Sequence, residues 1–95
     1  NLNITVRKLN NQDINQRKLP NQTKGLVITK IENDSPLINS IEVNSIIIEA
    51  QKKKIKSADD LDQITKEVLS TNQKTILLVI YNSQNQRRYI GVKLK

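Results

Sequence analysis

Ninety-five residues, 36% of them hydrophobic, make room for one small domain with a single core and exclude a second. The absence of His and Cys excludes Ser-His-Asp and Cys-His catalysis, thiolate or imidazole zinc sites and disulfides. A formal charge of +7 raises a nucleic-acid reading through counterion release, but the cations are scattered. Only Lys52-Lys53-Lys54 with Lys56 is dense, and just Tyr81 and Tyr89 are there to stack on bases, so no nucleic-acid partner is expected.

No stretch approaches the ~20 apolar residues of a membrane-spanning helix. Without a Met, the chain reads as a piece of a longer protein, and Asn1 opens a strand-like segment rather than a signal peptide. Leu2, Ile4 and Val6 alternate with Asn3, Thr5 and Arg7, the period of a strand with one buried face. From Asn10 the sequence turns polar, with Asn10 as N-cap of a short, weak helix that buries Ile14 and ends before Leu19-Pro20. Pro20 to Gly25 supplies a turn, the proline lacking a donor and the glycine tolerating positive φ.

Leu26, Val27, Ile28 and Ile31 form an almost continuous apolar run, predicted to be the central strand and covered on both sides. Asn33-Asp34-Ser35 ahead of Pro36 predicts about one helical turn over 36–40. Ile46-Ile47-Ile48 is β-branched, Gln51-Lys52-Lys53 turns, and Ile55 returns the chain as a brief strand. Ser57 then caps the best helix, with Asp60 in the capping-box position and Leu61, Ile64, Val68 and Leu69 on one face. Asp59, Asp60 and Asp62 serve the helix dipole rather than a metal. Residues 76–80 and 89–94 pair across a turn at 82–85, with Tyr89 as a cross-strand packing residue. The order predicts an α+β fold: a small, partly open antiparallel sheet or barrel with one long helix and one or two short ones.

Three segments in series, Lys24-Gly25-Leu26-Val27-Ile28 through Asp34-Ser35-Pro36, then Ile46-Ile47-Ile48-Glu49-Ala50, then Ser57-Ala58-Asp59-Asp60-Leu61, resemble a PDZ domain. More narrowly they resemble the C-terminal PDZ modules of HtrA/Deg serine proteases, over most of the chain. The resemblance implies one PDZ domain over residues 1–95, in the circularly permuted bacterial topology, with residues 87–94 supplying the strand that begins animal PDZ domains. It implies a fragment without a catalytic triad, no cofactor, and a parent serine endopeptidase of the periplasm or cell envelope, assembled as a homo-oligomer.

The implied site lies between the first strand and the long helix. An extended C-terminus or unfolded segment adds antiparallel to the strand Ile4, Thr5, Val6 and Arg7, and its carboxylate meets N–H groups at Leu2, Asn3 and Ile4. Leu2, Ile4, Leu61, Ile64, Thr65 and Val68 form the implied pocket for an apolar last side chain, so Ile64→Asp is expected to remove binding and leave the fold native. Taken alone, the stripe of Leu61, Ile64 and Val68 reads more often as ordinary core than as a pocket, and only the resemblance reverses that weighting; Leu2 and Ile4 read equally as plain strand residues.

The family's glycines are mostly replaced. Asn3 stands inside the usual apolar-Gly-apolar triplet, Asn44-Ser45 replaces Gly-Asp and Gln51-Lys52 replaces Asn-Gly, so turns are expected to rely on Asn. Two roles are therefore carried forward. One is capture of peptide ends for an attached protease, the other assembly with the protease domain and neighbouring PDZ domains.

Overall fold

A computed structural model describes residues 2–72 and 74–94; Asn1, which the sequence puts in a strand-like segment, and the chain's last residue lie outside the described residues. The elements are β1 (Ile4–Lys8), α1 (Asn11–Arg17), β2 (Leu26–Ile31), β3 (Ile46–Ala50), β4 (Lys53–Lys54), α2 (Ala58–Leu69), β5 (Thr75–Tyr81) and β6 (Arg87–Lys93). The strands form one antiparallel sheet ordered β1-β2-β3-β5-β6, with β4 paired to β3 off that path. The predicted α+β architecture holds. Among the described residues no helix is long and apolar enough to cross a membrane.

The apolar runs are continuous because the middle of the sheet is covered on both faces. On one face Leu26, Ile28, Ile47, Ile76, Leu78 and Ile80 pack with Leu61, Ile64 and Val68 of α2 in the main core. On the other, Val27, Ile46, Ile48 and Val79 form a smaller cluster beneath Leu9, Leu19 and Tyr81. The middle position belongs to β3 rather than to β2, since β3 holds both β2 and β5.

Both helices begin at the predicted caps. The Asn10 side chain accepts from Asp13 N at 2.9 Å while Asp13 Oδ2 accepts from Asn10 N at 2.9 Å, a closed capping box that stabilises a seven-residue helix. At α2 the Ser57 hydroxyl accepts from Asp60 N, but Asp60 Oδ2 reaches past the cap to Lys56 N at 3.0 Å, so the box stays open there.

Several local expectations change. Residues 36–40 form consecutive turns rather than a helix, with Ile38 N bonded to Ser35 O and Ser40 N to Leu37 O. The capping chemistry of Ser35 is nonetheless present, its Oγ accepting from Leu37 N at 3.0 Å. Gly25 has no positive φ. A Cβ there would lie 2.7 Å from Ile47 O and 2.8 Å from Ile46 Cγ2, so glycine serves the close approach to β3.

Left-handed backbone at Asn3, Asn44 and Asn85 follows the expected use of Asn, but Lys18, Gln51, Lys52 and Lys74 adopt it too. Gln51 and Lys52 do so as the two-residue loop between the paired Ala50 and Lys53, whose twist requires it at both positions. Tyr89 is 67% exposed and lies beneath the Arg87 guanidinium, 5.5 Å from the ring centroid, instead of packing across the strands.

Candidate functional site

The β1 edge is the first place where main chain is left to offer. Among the described residues β1 pairs with β2 alone. Glu32 N donates to Asn3 O and Leu9 N donates to Gly25 O, each at 3.0 Å, so the odd-numbered residues turn their polar groups toward β2. A bulge in register between Thr5 and Val6 is taken up on the β2 side at Thr29, whose hydroxyl donates to Thr5 O at 3.2 Å. By strand alternation Ile4, Val6 and Lys8 aim theirs the other way, at the open edge.

Beside that edge runs α2. A cleft of about 300 Å³ separates them, lined by Leu2, Asn3, Ile4 and Val6 from one wall and Ala58, Leu61 and Asp62 from the other. Positions 58, 61 and 62 stand three and four residues apart, which is why the helix presents them together. The chain leading into β1 is pinned from below, where the buried Ser35 hydroxyl donates to Leu2 O at 2.6 Å. Asn3 adopts a φ of 54°, the left-handed region that its short amide side chain tolerates, and its Nδ2 donates to Asp34 Oδ1 at 3.3 Å.

Beyond Asn3 the surface opens into a larger concavity of about 590 Å³, lined by Asp34, Pro36, Leu69, Leu94, Lys74 and Lys93. Two lysines thus stand beyond the Asn3 end of the cleft, against the carboxylates of Asp34 and Asp62. Arg7, on the strand itself, faces away from the cleft and makes a forked ion pair with Asp13 at 2.7 and 2.8 Å, tying β1 to α1. The Arg7 hydrogen bond holds the Asp13 carboxyl below its ordinary range against the opposing effect of burial.

Of the sequence-derived pocket residues, Leu2, Ile4 and Leu61 line this cleft. Ile64 and Val68 are buried in the main core, and Thr65 is buried with its hydroxyl donated back to Leu61 O at 2.8 Å. Ile64 also borders a separate cavity with Lys53, Lys54, Lys56, Asp60, Gln63 and Glu67. The sequence reading passed over Ala58, Asp62, Lys74 and Lys93. Helical spacing gives Ala58 three residues before Leu61 and Asp62 four residues after Ala58; nothing local marks the lysines, which the β5-β6 hairpin brings to Asn3.

No family model matches the chain, and no curated protein matches it. Among solved structures it is similar to an HtrA-type protease, AlgW, with a decapeptide, at a TM-score of 0.72 and 16% identity. The likeness covers 97% of this chain and 27% of the protease chain. The chain therefore has a PDZ-like fold of the kind that an HtrA-type protease carries. It spans about a quarter of the length of that protease.

Proposed function

We propose that this chain is the peptide-binding module of an HtrA/Deg-like serine endopeptidase, capturing C-termini or unfolded segments by strand addition between β1 and α2. The observation that carries this reading is the unpaired edge of β1 running beside a helix-walled cleft. A bound segment extends the sheet, taking hydrogen bonds from the outward groups of Ile4 and Val6. Its last side chain enters the space between Ile4, Ala58 and Leu61, and its carboxylate meets the main chain at Leu2 to Ile4 with Lys74 and Lys93 nearby. The hydrolytic machinery belongs to another part of the parent, which works in the cell envelope as a homo-oligomer.

A second reading, assembly with the protease domain or other PDZ domains, draws on the carboxylates of Asp62 and Asp34 beside the cleft, which oppose an anionic chain end. Titration of the chain with a labelled peptide ending in valine separates the two. Saturable binding that vanishes when the peptide is amidated supports capture. No binding, with concentration-dependent association of longer chains containing this domain, supports assembly.

Ala58→Arg is the matching variant, because residue 58 is exposed on the cleft wall; it should weaken binding at least tenfold with an unchanged circular dichroism spectrum. Ile64→Asp, the choice from sequence, puts a charge in the main core and reports on folding instead.

A further inference from the structure

The sheet has a second unpaired edge. β6 pairs with β5 alone, and its ladder runs from Asn82 N donating to Gln86 O at one end to Leu94 N donating to Lys74 O at the other. Even-numbered residues therefore face β5, and Arg87, Tyr89, Gly91 and Lys93 turn their N–H and C=O groups outward. Next to this edge lies a cavity of about 340 Å³, whose walls include Ile80, Arg88, Tyr89 and Ile90 from the strands and Ile41 and Ser45 from the 37–45 segment. Ser45 is fully buried and its hydroxyl has no partner among the described residues. The large apolar side chains that stand exposed among the described residues, Ile38, Val43 and Tyr89, all belong to β6 or to that segment.

We propose that the β6 edge is a second docking site, which takes an acidic extended polypeptide segment by strand addition and seats one of its side chains in the cavity beside Ser45. Charge selects the occupant. Arg87, Arg88 and Lys93 lie along the edge and β6 itself carries no acidic residue; Glu49 offsets Arg87 at 3.7 Å and Glu42 is engaged by the Ser83 hydroxyl at 3.1 Å, while Arg88 and Lys93 form no ion pair among the described residues.

A second copy of the chain brings the same three cations against themselves and is rejected. Nucleic acid matches the charge but not the edge. Phosphates only accept hydrogen bonds, whereas the outward groups alternate donor and acceptor as only another main chain does. Gly91 adds to this, since it leaves the outer face of the edge without a side chain and has nothing closer than Thr75 Cγ2 at 3.9 Å to a Cβ placed there.

The test uses the 95-residue chain and a labelled decapeptide of alternating Glu and Val, amidated at its C-terminus so that it lacks the carboxylate on which the β1 cleft reading depends. Saturable binding is expected, with hydrogen exchange slowed at the amides of Tyr89, Gly91 and Lys93. The double variant Arg87→Glu/Arg88→Glu, which leaves the residues of the β1 cleft alone, should lose at least tenfold in affinity and gain affinity for the corresponding Lys-Val peptide. Gly91→Pro, which removes an outward donor that β5 does not use, should lose binding with an unchanged circular dichroism spectrum; if it misfolds, the charge-reversed variant decides.

Equal binding of the Lys-Val peptide to the native chain, protection at Ile4 and Val6 instead, or retention of affinity by the charge-reversed variant overturns the proposal. So does binding of duplex DNA or anionic vesicles with none of the peptide. Failure here leaves the titration with a free C-terminal carboxylate untouched, so the two sites fall or stand separately.

Discussion

At the β1 edge the side chains of Leu2, Ile4 and Val6 turn inward to a helix, while at the β6 edge Arg87, Tyr89 and Lys93 stand exposed to solvent. Both edges expose unpaired main chain, yet the first is walled by α2 and pinned by Ser35, and the second is bordered only by turns and lined with cations. An open strand is thus defined by its neighbours. The helix converts one edge into a cleft that can choose a side chain, and the arginines and lysine convert the other into a surface that chooses a charge.

The largest test of that contrast lies where α1 anchors the β6 side. Arg17 donates to Asn44 O at 2.7 Å, to Asn82 O at 2.6 Å and to Asn85 Oδ1 at 2.6 Å, and Asn85 Nδ2 donates back to Arg17 O at 2.8 Å. Arg17→Met removes all three guanidinium bonds, taking the arginine's donors from Asn44 O and Asn85 Oδ1 while Asn82 O keeps Asn85 N, and should lower stability by about 2–4 kcal/mol in urea denaturation. Arg17→Lys should restore little, because an ammonium cannot span three acceptors as the planar guanidinium does.

A smaller effect separates the two glycines. Gly25→Ala drives a Cβ into the β3 backbone and should cost about 1–3 kcal/mol, read as a lower Tm. Gly91→Ala meets open space and should be neutral or raise stability by up to about 0.5–1 kcal/mol, by reducing the freedom of the unfolded chain. Equal costs at both positions would remove the packing difference between the two sides of the sheet.

The smallest effect is electrostatic and belongs to the β1 side. The Asp13 carboxyl titrates below its ordinary value in the folded chain, so its contribution is fully present above the unfolded value and is lost as pH falls through the folded one. The stability difference between the native chain and Asp13→Asn should therefore be constant at neutral pH. It should shrink as pH falls through about 4, where the unfolded carboxyl is half protonated, toward zero below the folded value. Because Arg7 remains 44% exposed, the pair itself is worth about 1 kcal/mol or less.

Local chemistry made most elements legible. Asn10 and Ser57 cap their own helices within three residues, the β-branched run at Ile46 to Ile48 cannot prefer a helix, and alternation at Leu2 to Val6 marks a strand. These signals act over a few residues and need no partner. The 36–40 segment, expected as about one helical turn, makes a single i→i−4 bond, Ile41 N to Leu37 O at 3.0 Å, among consecutive turns, and Ser35 both caps it and donates to Leu2 O, 33 positions away in the chain.

The site divides along the same line. Amphipathic spacing put Leu61, Ile64 and Val68 on one face of α2, but only the packed structure buried all three in the core, with Leu61 alone of them also reaching the cleft beside Ala58 and Asp62. Glycine at position 25 was read from the sequence as backbone freedom, whereas its cause is the approach of β3, about 20 residues on.

What the sequence by itself determined is the order and type of the elements and the absence of histidine and cysteine, because propensity, capping and composition are properties of the residues themselves and their neighbours. Which strands end the sheet, which way each main-chain group points and which charges gather at an edge were decided only by tertiary structure. Those depend on register and on contacts between residues tens of positions apart, and no local preference encodes them.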